Sequence, residues 1–414
     1  MSILQSKSQG KGGPDKIFAI SDMAKKRAAE VGKKNIVNAT IGAFLDGTGR
    51  LITLKTVEDT MRGLDFSDAA DYAPIAGLPG YIDAAISACF LDCRPDAYIA
   101  GIATPGGTGA LHNAFYNYLE EGETCLTTDR FWGNYETLLD EIDRKLDTFA
   151  TFDEADHFNM QACLDKVHEY STKQKNVMLL LNTPAHNPTG FSVTDDEWKT
   201  LIAELSAVAN NGTNNVVLVV DVAYLDFAGP DGRNFFKLFT NLPKNFMVVV
   251  CFSMSKGYTM YGYRLGCMIG VSSDKEAIDE FKLANTYSSR ATWSNCNRAG
   301  MLTMMEITND PEKQAAFKAE QEALRLSLVK RAETFTQEAK EVGLKICPYH
   351  SGFFITVPTK DEQEAADIAA IMRESDIFVV PLGAGLRVAI CAIPEEQIAG
   401  MATKFKEAFD KLNA

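Results

Sequence analysis

The 414-residue sequence has no apolar run of the roughly 18–20 residues needed to cross a bilayer. Its longest runs, Phe246 to Phe252 and Val216 to Val220, have the length of strands. It has no C-x-x-C, and its nine cysteines are an odd number spread along the chain. That argues against a disulfide framework or a structural zinc site and for buried thiols in a reducing compartment. The five histidines are scattered, so no metal is expected. Basic charge is also scarce: 41 Lys+Arg stand against 55 Asp+Glu, a formal net charge of −14, and no basic patch interrupts the acidic mean. Such a surface repels phosphate backbones and anionic lipid, so neither nucleic acid nor membrane is an expected partner. Residues 1–14 are rich in Ser, Gln, Lys and Gly, without an apolar core or a small-residue cleavage site. They read as an arm rather than an export signal, and the cytoplasm is the expected location.

What is present is globular material, 46% apolar and 23% charged, long enough for two or three domains at about 150 residues each. From Asp96 to Gly270 short apolar runs alternate with longer amphipathic stretches: Tyr98 to Ala103, Thr124 to Thr127, Asn176 to Leu181, Val216 to Val220, Phe246 to Phe252, and Cys267 to Val271. This alternation predicts an α/β domain with a mostly parallel central sheet covered by helices. Runs apolar on consecutive residues predict central strands, buried on both faces. After Asn309-Asp310-Pro311, a helix start, Phe317, Leu324, Leu328, Phe335 and Ala339 recur at separations of seven and four until Gly343, which predicts one long amphipathic helix. Alternating segments and a closing helix near Pro394 to Leu412 complete a smaller α+β unit.

Ligands of open parallel sheets bind beyond the carboxyl ends of the strands. Four such exits carry unusual polar groups: Thr104-Pro-Gly-Gly107-Thr108-Gly109, Pro184-Ala-His-Asn187-Pro-Thr-Gly190, Asp221-Val-Ala-Tyr224 and Ser253-Met-Ser-Lys256. The glycine-rich exit before a helix suits an anion, because small residues let backbone N–H groups approach it and the helix N-terminus adds positive character. It fits neither G-x-G-x-x-G, where His112 takes the third glycine position, nor a Walker loop. Lys256 ends a buried strand, where desolvation favours a neutral, nucleophilic amine. Arg264 has a fork suited to phosphate. Alone, each has a blander explanation: a tight turn, a snorkelling lysine, a surface ion pair, a capping aspartate. Together, amine, phosphate cradle, arginine, carboxylate and phenol match the needs of pyridoxal phosphate.

Read along its length, the chain resembles the fold-type-I pyridoxal-phosphate enzymes of the class I aminotransferase family, most of all the aspartate aminotransferase subgroup. The resemblance starts at Pro14-Asp-Lys-Ile-Phe18 and runs through Ile41-Gly42, Asp71-Tyr72-Ala-Pro-Ile-Ala-Gly77, Trp132-Gly-Asn134 and Leu386-Arg387, besides the four exits and Tyr263-Arg264. His-Asn-Pro-Thr-Gly and Ser-x-Ser-Lys in this order are together specific, where either alone is weak.

The resemblance implies that Lys256 holds the cofactor as a Schiff base and then acts as general acid/base, with Asp221 on the ring nitrogen and Tyr224 and Asn187 on the ring oxygen. It implies phosphate contacts from Gly107, Thr108, Ser253 and Arg264, joined by Tyr72 of a partner subunit, and stacking by Trp132. Arg387, with Asn187 and the Gly42 backbone, would hold the substrate carboxylate. It further implies a homodimer with shared active sites, an arm over 1–14, a large cofactor-binding domain over 51–310, and a small domain from 15–50 and 311–414.

Arg290 falls where the subgroup places the arginine that binds a distal carboxylate across the dimer. The resemblance therefore implies aspartate or glutamate paired with 2-oxoglutarate or oxaloacetate in a ping-pong cycle. Trp293 in place of a tyrosine, Tyr135 in place of a histidine, Cys296-Asn-Arg298 and Gly257-Tyr-Thr-Met-Tyr-Gly-Tyr263 depart from that pattern. An aromatic or broad-range aminotransferase is thus the alternative, and a lyase of the same fold a more distant one.

Overall fold

The sheet that carries the four exits is seven-stranded. In a computed structural model that describes residues 2–13 and 16–413, its strands are β1 (Tyr98–Thr104), β2 (Thr124–Thr128), β3 (Lys145–Phe149), β4 (Asn176–Asn182), β5 (Asn215–Asp221), β6 (Phe246–Ser253) and β7 (Gly266–Ser272). Met1, Pro14, Asp15 and Ala414, and with them part of the expected arm and the first residues of the family motif, lie outside the described residues. The strand order is β1-β7-β6-β5-β4-β2-β3. The pairs from β6 to β3 are parallel, and β7 runs antiparallel to both its neighbours.

The apolar runs are central strands for the reason their composition suggests. Along β5 and β6, Val216, Leu218, Val220, Val248 and Val250 join one core cluster, while Val217, Val219, Met247 and Val249 join another. Alternate side chains therefore enter apolar layers on opposite faces. Each buried residue of this size contributes about 1.5–3 kcal/mol. Every expected strand ends one residue later than its apolar run, on Thr104, Thr128, Asn182, Asp221, Ser253 or Ser272, because the backbone ladder continues onto the polar residue. The strand that the sequence did not reveal is β3, an edge strand whose Lys145, Asp147 and Thr148 leave no apolar run.

Chain packing divides the molecule into two units. The larger is Ile52–Lys330 with Cys347–Phe354, and the smaller comprises the residues up to Leu51, Arg331–Ile346 and the chain from Ile355 onward. The second division thus falls inside the long helix Pro311–Glu341 rather than at 310. The first part of that helix is tied to the larger unit: Phe317 enters its main core, the Glu320 carboxylate accepts from Thr56 Oγ1 at 2.8 Å, and Gln321 Nε2 donates to the Gly257 carbonyl at 2.9 Å.

β8 (Phe354–Pro358), which belongs to the smaller unit from Ile355 onward, forms a sheet of order β9-β10-β8 with β9 (Val380–Pro381) and β10 (Gly385–Ala389). A second ladder pairs Val37–Asn38 in parallel with Ile377–Phe378. The closing helix starts at Met401 rather than near Pro394, since Gly400 at φ 88° interrupts the chain after a short 3-10 turn over Glu395–Gln397.

Candidate active site

Sheet register sets the site. Asn182 lies opposite Asp221, Asp221 opposite Cys251, and Gly266 opposite both Ser253 and Thr104. The ends of β1, β4, β5 and β6 therefore line one edge of the sheet in the larger unit. Beyond Thr104 the chain enters a helix at Gly106 (Gly106–Tyr118), and beyond Ser253 it makes a single helical turn, Met254–Gly257.

The first two of these features converge on an anion cradle. Gly106 adopts φ +70°, and a Cβ there would stand 2.7 Å from Arg264 Nη2, so only glycine lets the guanidinium lie against this backbone. A Cβ on Gly107 would come 3.7 Å from that of Ser253. Arg264 Nη1 donates to Ser255 Oγ at 3.2 Å and to the Tyr261 carbonyl at 2.9 Å, while the Ser255 N–H donates to Ser253 Oγ at 3.2 Å. A guanidinium, two serine hydroxyls and the first N–H groups of a thirteen-residue helix that includes Thr108 are the donor set a phosphate requires.

Lys256 occupies the turn after Ser253. Its Nζ lies 4.6 Å from the centre of the Tyr261 ring and 5.7 Å from those of Tyr224 and Phe353, so three aromatic rings neighbour the amine. On the neighbouring strand Asp221 is buried. Burial pushes its carboxyl above the usual range, opposed by hydrogen bonds from Tyr135 and the Ala223 N–H and by the charge of Lys256. The Tyr135 hydroxyl donates to Asp221 Oδ2 at 2.6 Å and the Ala223 N–H to Oδ1 at 3.1 Å. Asn187 is coupled to the same strand end: its N–H donates to Asn182 Oδ1 at 2.7 Å, and Asn182 Nδ2 donates to the Asp221 carbonyl at 2.9 Å. Trp132 packs edge-on against Tyr135, with ring centres 5.6 Å apart. The donor set and the buried carboxylate fit pyridoxal phosphate: an anionic tail at one end and a protonated ring nitrogen at the other.

Thus Gly107, Thr108, Ser253, Lys256, Arg264, Asp221, Tyr224, Asn187 and Trp132 belong to one region of the larger unit. In the smaller unit, Arg387 on β10 is buried and its Nη2 donates to the Thr40 carbonyl at 2.7 Å, two residues from Gly42. Tyr72 and Arg290 are not drawn to Lys256 within this chain. Tyr72 is 82% exposed, and exposed Arg290 donates to Ser294 Oγ at 2.6 Å. Residues that the sequence did not mark as contacts are Ser255, Tyr261 and Phe353. Ser255 lies within the Ser-x-Ser-Lys motif and Tyr261 in the segment after it that departs from the family pattern, while Phe353 is distant in sequence and carried no signal.

Comparison with known proteins agrees with this geometry. The pattern of the aminotransferase class I and II family matches residues 34–405. An aromatic-amino-acid aminotransferase of Paracoccus denitrificans is 25% identical over 89% of this chain and 91% of its own. A cytoplasmic aspartate aminotransferase of Schizosaccharomyces pombe is 28% identical over 67% of this chain and 68% of its own. The crystal structure of an aminotransferase from Anaerococcus prevotii superposes with a TM-score of 0.95 at 38% identity, covering 99% of both chains. The chain belongs to the class I and II aminotransferase family.

Proposed function

We propose that this aminotransferase transfers the amino group of L-aspartate or L-glutamate to 2-oxo acids, with 2-oxoglutarate and oxaloacetate as acceptors, in a ping-pong cycle. The observation that carries the transamination chemistry is that the turn bearing Lys256, the buried Asp221 and the Gly106–Ser253–Arg264 cradle share one sheet edge. The cofactor is pyridoxal 5′-phosphate, which when bound serves as an electron sink that acidifies the substrate Cα–H bond.

The residues act around it. Gly107, Thr108, Ser253 and Arg264 bind the phosphate, with Tyr72 of a second copy. Asp221 holds a proton on the ring nitrogen, and Tyr224 and Asn187 hydrogen-bond the ring oxygen. Trp132 covers the ring and excludes water. Lys256 Nζ would hold the cofactor covalently and, when free, would move a proton to and from the substrate Cα as general base and acid. Arg387 binds the α-carboxylate through its fork, aided by Asn187 and the Gly42 backbone. A homodimer supplies Tyr72 and Arg290 across its interface; their exposure in a single chain supports this assignment. Among the described residues no helix is long and apolar enough to cross a membrane; the proposed cytoplasmic location rests on the nine free, buried cysteines.

Arg290 is the ground for a dicarboxylic donor. The Paracoccus relative favours a second reading, an aromatic donor. A panel of amino donors against 2-oxoglutarate, ranked by kcat/KM, separates the two. L-aspartate should lead, and Arg290→Leu should cost it about 2–5 kcal/mol in kcat/KM, the scale of stranding one member of a buried charge pair, while sparing L-phenylalanine. A lead for L-phenylalanine establishes the second reading, equal losses for both donors remove Arg290 from the pocket, and ammonia without glutamate indicates a lyase.

A further inference from the structure

Tyr135 is wholly buried at the start of the helix Asn134–Glu141. Two of its contacts lead to residues assigned to the cofactor. Its hydroxyl donates to Asp221 Oδ2 at 2.6 Å, the length of a charge-assisted O–H···O⁻ bond. Its N–H donates to the Trp132 carbonyl at 2.9 Å, and the two rings meet edge to face at 85°. Tyr135 therefore joins the Asp221 carboxylate to the Trp132 indole.

We propose that Tyr135 is a positioning residue that keeps Asp221 ionised and aimed at the cofactor ring nitrogen. This rests on the role given to Asp221 above. A phenol has a single proton to give, and here burial, followed by the negative charge of Asp221, pushes its ionisation far above the ordinary value. It therefore donates throughout the physiological range and never competes for the proton that Asp221 shares with the ring. The histidine that the family resemblance expects at this position would carry a second ring nitrogen in need of a partner and would itself titrate near neutrality. With tyrosine, the network has one arrangement.

The other titratable groups facing Asp221 are the Lys256 side chain from the turn after β6 and the Cys251 thiol on β6, while the Tyr224 phenol beyond β5 faces Tyr135. Of these only Lys256 brings positive charge. Removing the Tyr135 hydroxyl leaves Oδ2 in a buried place without its donor, a change that favours the protonated, neutral carboxyl. A neutral carboxyl no longer supports a protonated ring nitrogen.

Tyr135→Phe is the direct test, because it keeps the ring against Trp132 and deletes only the donor. Holoenzyme is stripped and titrated with pyridoxal 5′-phosphate and, separately, with its deaza analogue, in which carbon replaces the ring nitrogen. The variant should bind the natural cofactor roughly tenfold or more weakly, as expected for losing a hydrogen bond to a charged group. The deficit should grow as pH falls, and the absorption band of the bound cofactor should shift. With the deaza analogue, Tyr135→Phe should lose no affinity relative to the parent, since that ring offers no N–H for an ionised Asp221 to bind. Tyr135→His, which returns an N–H donor, should bind the natural cofactor more tightly than Tyr135→Phe. Equal weakening with both cofactors, or parent-like affinity and spectrum in Tyr135→Phe, overturns the proposal. A parent protein that binds neither cofactor overturns instead the underlying assignment of function.

Discussion

His186 shows how far a single residue of the site is governed by burial. It sits in the loop after β4, its Nδ1 2.8 Å from Thr189 Oγ1. Burial lowers its imidazole from the ordinary 6.5 to about 4, against weaker upward effects of the Arg130 backbone and the Asp129 charge. The sign of the consequence follows from linkage. Between these two values the unfolded chain takes up a proton that the folded chain refuses, so the stability held above pH 6.5 is lost as pH falls toward 4. The integrated loss is about 3 kcal/mol. Urea midpoints measured from pH 7 to pH 5 should fall, and His186→Gln should flatten that fall; an unchanged slope would show that His186 is not the group responsible. Residue chemistry of this kind is only partly legible in sequence. Lys256, Asp221 and Arg264 were marked because their types and order match one chemistry. The Tyr135 hydrogen bond was not, because 86 positions separate its partners and the sequence showed only a tyrosine where a histidine was expected.

Elements were legible where apolar pattern and punctuation agreed. The seven-and-four spacing from Phe317 to Ala339 marks the long helix, and Asp310 before Pro311 marks its start. In the structure Asp310 Oδ1 accepts from the backbone N–H groups of Glu312 at 2.9 Å and Lys313 at 3.1 Å, which are donors with no partner inside the helix. Asp310→Ala should therefore lower stability by about 1 kcal/mol, read as a shift of the denaturant midpoint at unchanged slope, with cofactor binding intact. A midpoint equal to that of the parent would mean that solvent replaces the cap without loss. Two elements escaped the pattern for physical reasons. The edge strand β3 pairs on one side only and tolerates Lys145 and Asp147, so no hydrophobic period betrays it. The closing helix was extended too far toward Pro394 because Gly400 acts through its left-handed backbone, which composition alone does not reveal.

At the scale of the whole molecule, the formal charge of −14 and the cationic site are separate design features. The acidic exterior favours solubility and disfavours polyanions. An anionic cofactor would meet local charge instead, from Lys256 and Arg264 at one sheet edge of the larger unit. The split of the long helix between two packing units at Lys330 and Arg331 was invisible in sequence, since its apolar stripe runs through that point without interruption. Donor preference is likewise not legible in the fold, which an aspartate and an aromatic aminotransferase both share with this chain. The central claim, amino transfer through cofactor held at Lys256, is tested most directly by a half-reaction. Protein loaded with pyridoxal 5′-phosphate is mixed with L-aspartate, L-glutamate or L-phenylalanine alone, with no acceptor present, and Lys256→Ala serves as control. The account predicts that at least one donor bleaches the yellow band, releases its 2-oxo acid in amounts matching the chain and yields no ammonia, and that Lys256→Ala does none of this. A band unchanged by every donor, or ammonia released in place of a retained amino group, would contradict it.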